Sequence, residues 1–276
     1  MPKASANGIE LEYESMGDDA APPVLMIMGL GSQMIVWPDE LCALIVERGY
    51  RVIRYDNRDV GLSTKPAGHY TLDDMADDAA GLLDFLGIAR AHIVGASMGG
   101  YIAQLVAIRH AERVRSLCII MSSTGSRAVG GADPDILPLL LTPPPADKEG
   151  NVALRLKIAR RLSSPAYPFD EARIRKIFEA AHDRCHFPLG GQRQLGAVMT
   201  SYDRTAALGA VRAPTLVLHG SADAIVHADG GEAVARAIPG AELRIFDGMG
   251  HDLPAALWPT LADAIAANAR RYDASA

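Results

Sequence analysis

A serine held in a glycine-flanked turn is the first feature of this sequence that could do covalent chemistry. Gly95-Ala96-Ser97-Met98-Gly99-Gly100 fits the pattern G-x-S-x-G. It directly follows the apolar run Ala91-His92-Ile93-Val94 and runs into the apolar stretch Gly99–Ile108. A turn that tight between strand and helix brings the residues two before and two after the serine together. Side chains there would clash, and both positions are glycine. The serine is therefore expected in a strained backbone conformation, with its hydroxyl above the sheet. It also stands at a helix N-terminus, where free N–H groups favour developing negative charge.

A serine hydroxyl needs a base. Gly248-Met249-Gly250-His251-Asp252 follows the last strand-like segment, which makes His251 the candidate. His69, His110 and His227 lie in loops or at helix ends, and His92 and His219 lie within strands as core residues. The base in turn needs an acid to fix its tautomer and stabilise the imidazolium. Asp223 follows the strand Thr215–His219 and is the candidate. Asp229 is expected to cap the next helix, and Asp252 is too close to His251 to reach its far nitrogen. The chain order Ser97, Asp223, His251 is that of α/β-hydrolases among enzymes with such triads. Two backbone donors should face a developing oxyanion. Met98 follows the nucleophile and supplies one. Leu30, in Gly29-Leu30-Gly31-Ser32, supplies the other. Met28, Met98, Met34 and Met121 are expected as adaptable apolar walls. Met28, Gly29, Leu139 and Leu140 are the expected substrate contacts.

These residues need a scaffold that gathers strand ends. The chain alternates strands and helices: Ile9–Glu14, Val24–Met28, Arg51–Tyr55, His92–Val94, Val114–Met121, Thr215–His219 and Glu242–Phe246 read as strands. Helical spacing falls at 33–47, 72–86, 99–108, 231–237 and 255–271. Alternation of this kind implies an α/β fold with a mostly parallel sheet flanked by helices. Residues 124–208 break the rhythm with helical patches at 155–161, 171–181 and 192–202. The expected organisation is a first core part at 1–123, a helical cap at 124–208 over the sheet's C-terminal edge, and a second core part at 209–276.

The 276 residues are 49% apolar and 22% charged, enough for a packed core. A net charge of −6 gives no electrostatic basis for nucleic-acid binding. The cap carries 12 basic and 9 acidic residues, net +3, which leaves −9 on the remainder. A solvated helix face explains a basic cap, and attraction of anionic substrates is the other reading. No apolar run approaches the roughly 18 residues that span a bilayer. Glu10, Glu12 and Glu14 stand where an export signal would be apolar, and three scattered cysteines suggest no disulfide framework. A cytoplasmic enzyme without membrane or nucleic-acid partner is expected.

Together these motifs resemble the α/β-hydrolase superfamily of Ser-His-Asp type. Asp56-Asn57-Arg58-Asp59-Val60-Gly61-Leu62-Ser63 is similar to its D-x-R-G-x-G-x-S loop, with Asp59 in place of glycine, and implies a structural brace at the sheet edge. Met28-Gly29, Trp37-Pro38-Asp39-Glu40 and Ile53-Arg54-Tyr55-Asp56 resemble the aclacinomycin methylesterase group over the first hundred residues. The resemblance implies a serine carboxylesterase acting on a small-molecule ester through an acyl-enzyme, with no metal or organic cofactor. The same residues also serve perhydrolases, carbon–carbon hydrolases and slow ligand sensors of this fold. The carbon–carbon type usually shows Gly-Pro-Gly where this chain has Gly29-Leu30-Gly31. His182 and His186 have the i, i+4 spacing of metal ligands on a helix, but no glutamate sits between them.

Overall fold

The computed structural model describes residues 2–273. The chain opens with a hairpin of β1 (Lys3–Ala6) and β2 (Ile9–Met16). Its turn is Asn7-Gly8, both at positive φ (47° and 77°), the pair that suits the twist of a two-residue hairpin. β1 has no counterpart among the expected strands, because Lys3-Ala4-Ser5-Ala6 contains no large apolar residue. β3 (Pro23–Ile27) leads through a 3₁₀ turn (Met34–Val36) to α1 (Asp39–Glu47) and β4 (Arg51–Tyr55). The helix expected over 33–47 is thus split. Pro38 excludes a helical conformation at Trp37, which is extended at ψ 120°, and α1 starts beyond it.

α2 (Leu72–Phe85) starts with a capping box between Thr71 and Asp74. β5 (Ala91–Ala96), α3 (Met98–Arg109) and β6 (Val114–Ile120) follow. Five helices then intervene: α4 (Ile136–Leu140), α5 (Lys148–Leu162), α6 (Glu171–Arg184), α7 (Pro188–Met199) and α8 (Thr205–Leu208). β7 (Thr215–Gly220), α9 (Ala228–Ala237), β8 (Glu242–Phe246), a 3₁₀ turn (Ala255–Leu257) and α10 (Trp258–Asp273) complete the order. Asp229 does not cap α9. His227 is the cap residue, and the Asp229 carboxylate accepts the N–H of Gly130 at 2.9 Å.

The sheet has eight strands in the order β1-β2-β4-β3-β5-β6-β7-β8. β1 and β2 are antiparallel to their neighbours, and β3 to β8 pair in parallel. Alternation along each strand divides the core in two. Leu25, Ile27, Ile93, Leu117 and Ile119 pack with α2, α3 and α9. Val24, Met26, Val94, Cys118 and Ile120 pack with α1 and α10 on the opposite face. Each such side chain contributes roughly 1.5–3 kcal/mol by leaving water. The parallel crossovers send the C-terminal ends of β3 to β8 to one side, where the loops after β3, β5, β7 and β8 converge.

The loop 56–63 is a brace, as expected, and it reaches further than the sheet. Ser63 accepts the Glu12 N–H of β2 at 2.9 Å and donates to the Asp56 carbonyl at 2.6 Å. Asp59 has a φ of 74°, a conformation in which glycine is commonest and aspartate is tolerated. The Asp56 carboxylate holds the Met34 N–H (2.8 Å), the Leu62 N–H (2.9 Å) and Arg184 of α6. Arg193 of α7 pairs with Asp59.

Arg58 forms a two-bonded pair with Asp78 of α2 at 2.6 and 2.7 Å, and Asn7 donates to the same carboxylate at 3.0 Å. These side chains are 7% and 2% exposed. Asp78→Ala would leave a buried guanidinium without its counter-charge. Loss of one partner of such a pair costs about 3–5 kcal/mol. Urea denaturation should register that fall in unfolding free energy, and a change below about 1 kcal/mol would show that the pair does not hold the loop to α2.

Candidate active site

Ser97 occupies the crossing between β5 and α3 with φ 56° and ψ −120°. A non-glycine residue in such a conformation carries a strain of order 1–3 kcal/mol and persists only where its surroundings enforce it. Here they do. The Ser97 N–H donates to the Ile120 carbonyl at 2.9 Å, and its own carbonyl accepts the Ser122 hydroxyl (2.9 Å) and the Gly100 N–H (2.8 Å). A Cβ on Gly95 would lie 2.1 Å from the Gly99 carbonyl oxygen, and one on Gly99 would lie 2.0 Å from that of Ile27. Two separate close approaches, one within the turn and one to β3, therefore require the two glycines. The Ser97 side chain makes no capping bond to α3, which leaves its hydroxyl to the cavity.

Asp223 and His251 are in hydrogen-bond contact. His251 Nδ1 lies 2.7 Å from Asp223 Oδ2. The other oxygen, Oδ1, accepts the N–H groups of Ile225 (3.0 Å) and Val226 (2.9 Å). Burial works against the charge on Asp223. The His251 ring, His219 and the Val226 N–H outweigh it and hold the carboxyl well below the usual carboxylate range. A deprotonated acceptor fixes the proton of neutral His251 on Nδ1 and leaves Nε2 as an acceptor.

His219, expected as a passive core residue, is wholly buried but touches the acid. Its Nε2 donates to the Val226 carbonyl at 2.8 Å and lies 3.4 Å from Asp223 Oδ2. Its place on the β7 end, four residues before Asp223, is a signal that the sequence offered. Asp252 does not approach the far nitrogen of His251, as expected. It accepts the Ser164 hydroxyl, and burial pushes its carboxyl up despite that bond.

The loop after β3 runs directly past the nucleophile: a Cβ on Gly29 would lie 3.1 Å from the Cβ of Ser97. Among the described residues, neither the Leu30 nor the Met98 N–H donates to a protein acceptor. Two distant residues pin this loop. Asn57 donates to the Met28 carbonyl at 3.0 Å, and Gln194 of α7 accepts the Gly31 N–H at 2.7 Å while donating to the Arg58 carbonyl at 2.8 Å. Gln194 carries no sequence signal, because its partners lie more than a hundred residues away.

Ser97 and His251 line one cavity of about 400 Å³. Met28, Gly29, Leu30 and Met121 form part of its floor, and α4, α5 and α6 supply Leu140, Ile158, Ile177 and Phe178. Leu140 is thus placed as expected. Leu139 is not, because its neighbour on the short helix α4 takes the inward position. Met34 and Met98 are buried in the core rather than on the cavity wall. His182 and His186 stack at 4.5 Å, but α6 ends at Arg184 and the pair does not share a helix face. Among the described residues no group of three His, Cys, Asp or Glu side chains could hold a metal ion.

Similarity to known proteins agrees with this fold. The family described as serine aminopeptidase, S33 matches residues 20–255. Rhodomycin D methylesterase DnrP of Streptomyces peucetius is 31% identical, with 95% of each chain covered. The 2-hydroxymuconate semialdehyde hydrolase of Pseudomonas sp. CF600 is 31% identical over 89% of this chain and 85% of its own. Among solved structures, the enol-lactonase of Burkholderia xenovorans LB400 superposes with a TM-score of 0.74 at 26% identity, covering 99% of this chain and 100% of that one. With a sheet of this order and a family match over most of its length, the chain belongs to the α/β-hydrolases, in the family of serine aminopeptidase S33.

Proposed function

We propose that this chain is a serine carboxylester hydrolase acting on a small-molecule ester through an acyl-enzyme. The observation that carries the reading is the strained Ser97 sharing a cavity with His251, whose far nitrogen is tied to a charged Asp223 at 2.7 Å. Ser97 Oγ attacks the ester carbonyl carbon while His251 Nε2 takes its proton. The oxygen that gains charge faces the N–H groups of Leu30 and Met98. The carbon–oxygen bond to the alcohol then breaks, and His251 gives its proton to the leaving oxygen. Water repeats the sequence on the Ser97 acyl ester and releases the acid. Asp223 stays ionised throughout and stabilises the imidazolium.

The methylesterase relative supports an ester as the substrate, although its rhodomycin substrate is not carried over to a cavity whose wall is built by α4, α5 and α6. The carbon–carbon hydrolase relative favours a second reading. The ester reading is preferred because the methylesterase likeness covers more of the chain and the oxyanion loop lacks the proline usual in the other type. Helices 136–199 act in this reading as a cap that selects the substrate. Cys42, Cys118 and Cys185 are all unbridged, which supports a reducing, cytoplasmic setting.

A fluorophosphonate should modify Ser97, located by peptide mass spectrometry, and abolish hydrolysis of p-nitrophenyl butyrate. An adduct elsewhere, or persisting activity after complete labelling of Ser97, would refute the assignment.

Asparagine at position 223 keeps the shape of the acid but can donate to His251 and favour the wrong tautomer. Asp223→Asn should lower turnover by about 10⁴-fold with the fold retained, by analogy with the same change in a serine protease. Asp229→Asn, which alters only the bond to Gly130, should stay within about tenfold of the parent. Stopped assays with circular dichroism as the folding check distinguish the two, and an active Asp223→Asn would remove Asp223 from the mechanism.

A further inference from the structure

One of the two arginines on the cavity wall makes no ion pair among the described residues. Of the wall's ionisable residues, Arg173 pairs with Glu40 at 3.1 Å and lies over Trp258. Asp170 accepts the Arg173 N–H at 3.0 Å. Asp252 is bonded to Ser164, and His251 to Asp223. Arg155 of α5 differs from these. Among the described residues it makes no ion pair, and its guanidinium lies over the Phe178 ring at 4.3 Å. Ile158, Ala159, Ile174 and Ile177 supply apolar wall around it.

Building a cation into such a place is unfavourable. Burial alone pushes Arg155 down to about 10, with no carboxylate near enough to oppose it. The basicity of His186 is lowered by burial, then by His182, then by Arg155 itself. The surroundings are therefore short of negative charge. The Phe178 ring engages one face of the guanidinium, while its N–H donors lie in the plane and remain for a ligand. A planar fork of donors matches a carboxylate better than any other common group.

We infer that Arg155 is a recognition point for a carboxylate on the substrate, remote from the bond that is cut. The substrate class is then an anionic ester, such as a half-ester of a dicarboxylic acid. This rests on the ester-hydrolase reading for the reaction, though not for the binding. The helix sets the spacing. The carbonyl of Leu162, seven residues beyond Arg155 on α5, accepts the His251 N–H at 2.8 Å. Seven residues of helix span about 10 Å, so the anion is held about two turns from the loop that carries the base. That separation calls for a spacer of several carbons between carboxylate and ester. The net charge of +3 on residues 124–208 favours the same class of ligand at longer range.

The test compares p-nitrophenyl half-esters of adipate and suberate with the neutral p-nitrophenyl hexanoate and octanoate. The readout is the ratio of kcat/KM for each anionic ester to its neutral counterpart. Arg155→Met should lower that ratio by roughly tenfold or more, the usual loss when a bond to a charged group is removed. Arg155→Lys, which keeps the charge but loses the fork, should retain part of the ratio and shows that a fall in the methionine variant is not misfolding. A ratio that moves less than twofold in Arg155→Met overturns the proposal. Calorimetric titration of Ser97→Ala with monomethyl adipate gives a reading without turnover. Binding there that disappears on adding Arg155→Met supports the anion site even if no ester is hydrolysed, in which case only the ester-hydrolase reading fails. Binding that survives Arg155→Met overturns the anion site while leaving ester hydrolysis intact.

Discussion

The site depends on how closely three backbone segments approach at the end of the parallel sheet. Gly95 touches the Gly99 carbonyl, and Gly99 touches that of Ile27, at distances where no side chain fits. That contact forces Ser97 into its unusual conformation and brings the loop after β3 alongside it. The strain is maintained because β5 is a fully buried central strand between β3 and β6. An exposed or marginal strand would relax and withdraw the hydroxyl. The stability of the sheet and the geometry of Ser97 are therefore one problem.

A second constraint links the helices between β6 and β7 to the base. The end of α5 and the residues just after it meet the His251 loop through two backbone hydrogen bonds, His251 N–H to Leu162 and Ala166 N–H to Gly248, and one to a side chain, Gly250 N–H to the Ser164 hydroxyl at 2.8 Å. A Cβ on Gly250 would lie 2.5 Å from the Leu162 carbonyl oxygen, so glycine is required for the two to meet. The histidine loop is thereby held from both sides, by Asp223 below and by α5 above. Helices that shape the cavity also position His251.

Buried charge binds the same two parts elsewhere. Asp56 and Asp59, both fully buried, reach Arg184 and Arg193 on α6 and α7. Each carboxylate is desolvated, so each needs its partner more than a surface pair would. Gln194 adds a neutral bridge, joining the loop after β3 to the carbonyl of Arg58. The loop 56–63 therefore works as a junction between the sheet, the loop after β3 and the intervening helices. Breaking one of its pairs should disturb the site as well as the fold.

Much of this was legible in the sequence where the physical cause is local. Glycines flanking Ser97 report a backbone crossing, and alternating apolar runs report strands buried on both faces. The loops that carry Asp223 and His251 follow recognisable strands, and their order along the chain points to the superfamily. What lacked a local cause was lost. Pro38 interrupts a helix whose apolar spacing looks continuous, and β1 is too small to show a pattern. Leu139 and Leu140 are indistinguishable by type, and only the docking of α4 decides that Leu140 faces the cavity. Gln194, His219 and Arg155 read as ordinary helix or strand residues. Their roles arise from partners, or from missing partners, brought near by the tertiary structure. Residue type fixes which bonds a side chain can make, but burial and distance decide which of them are needed.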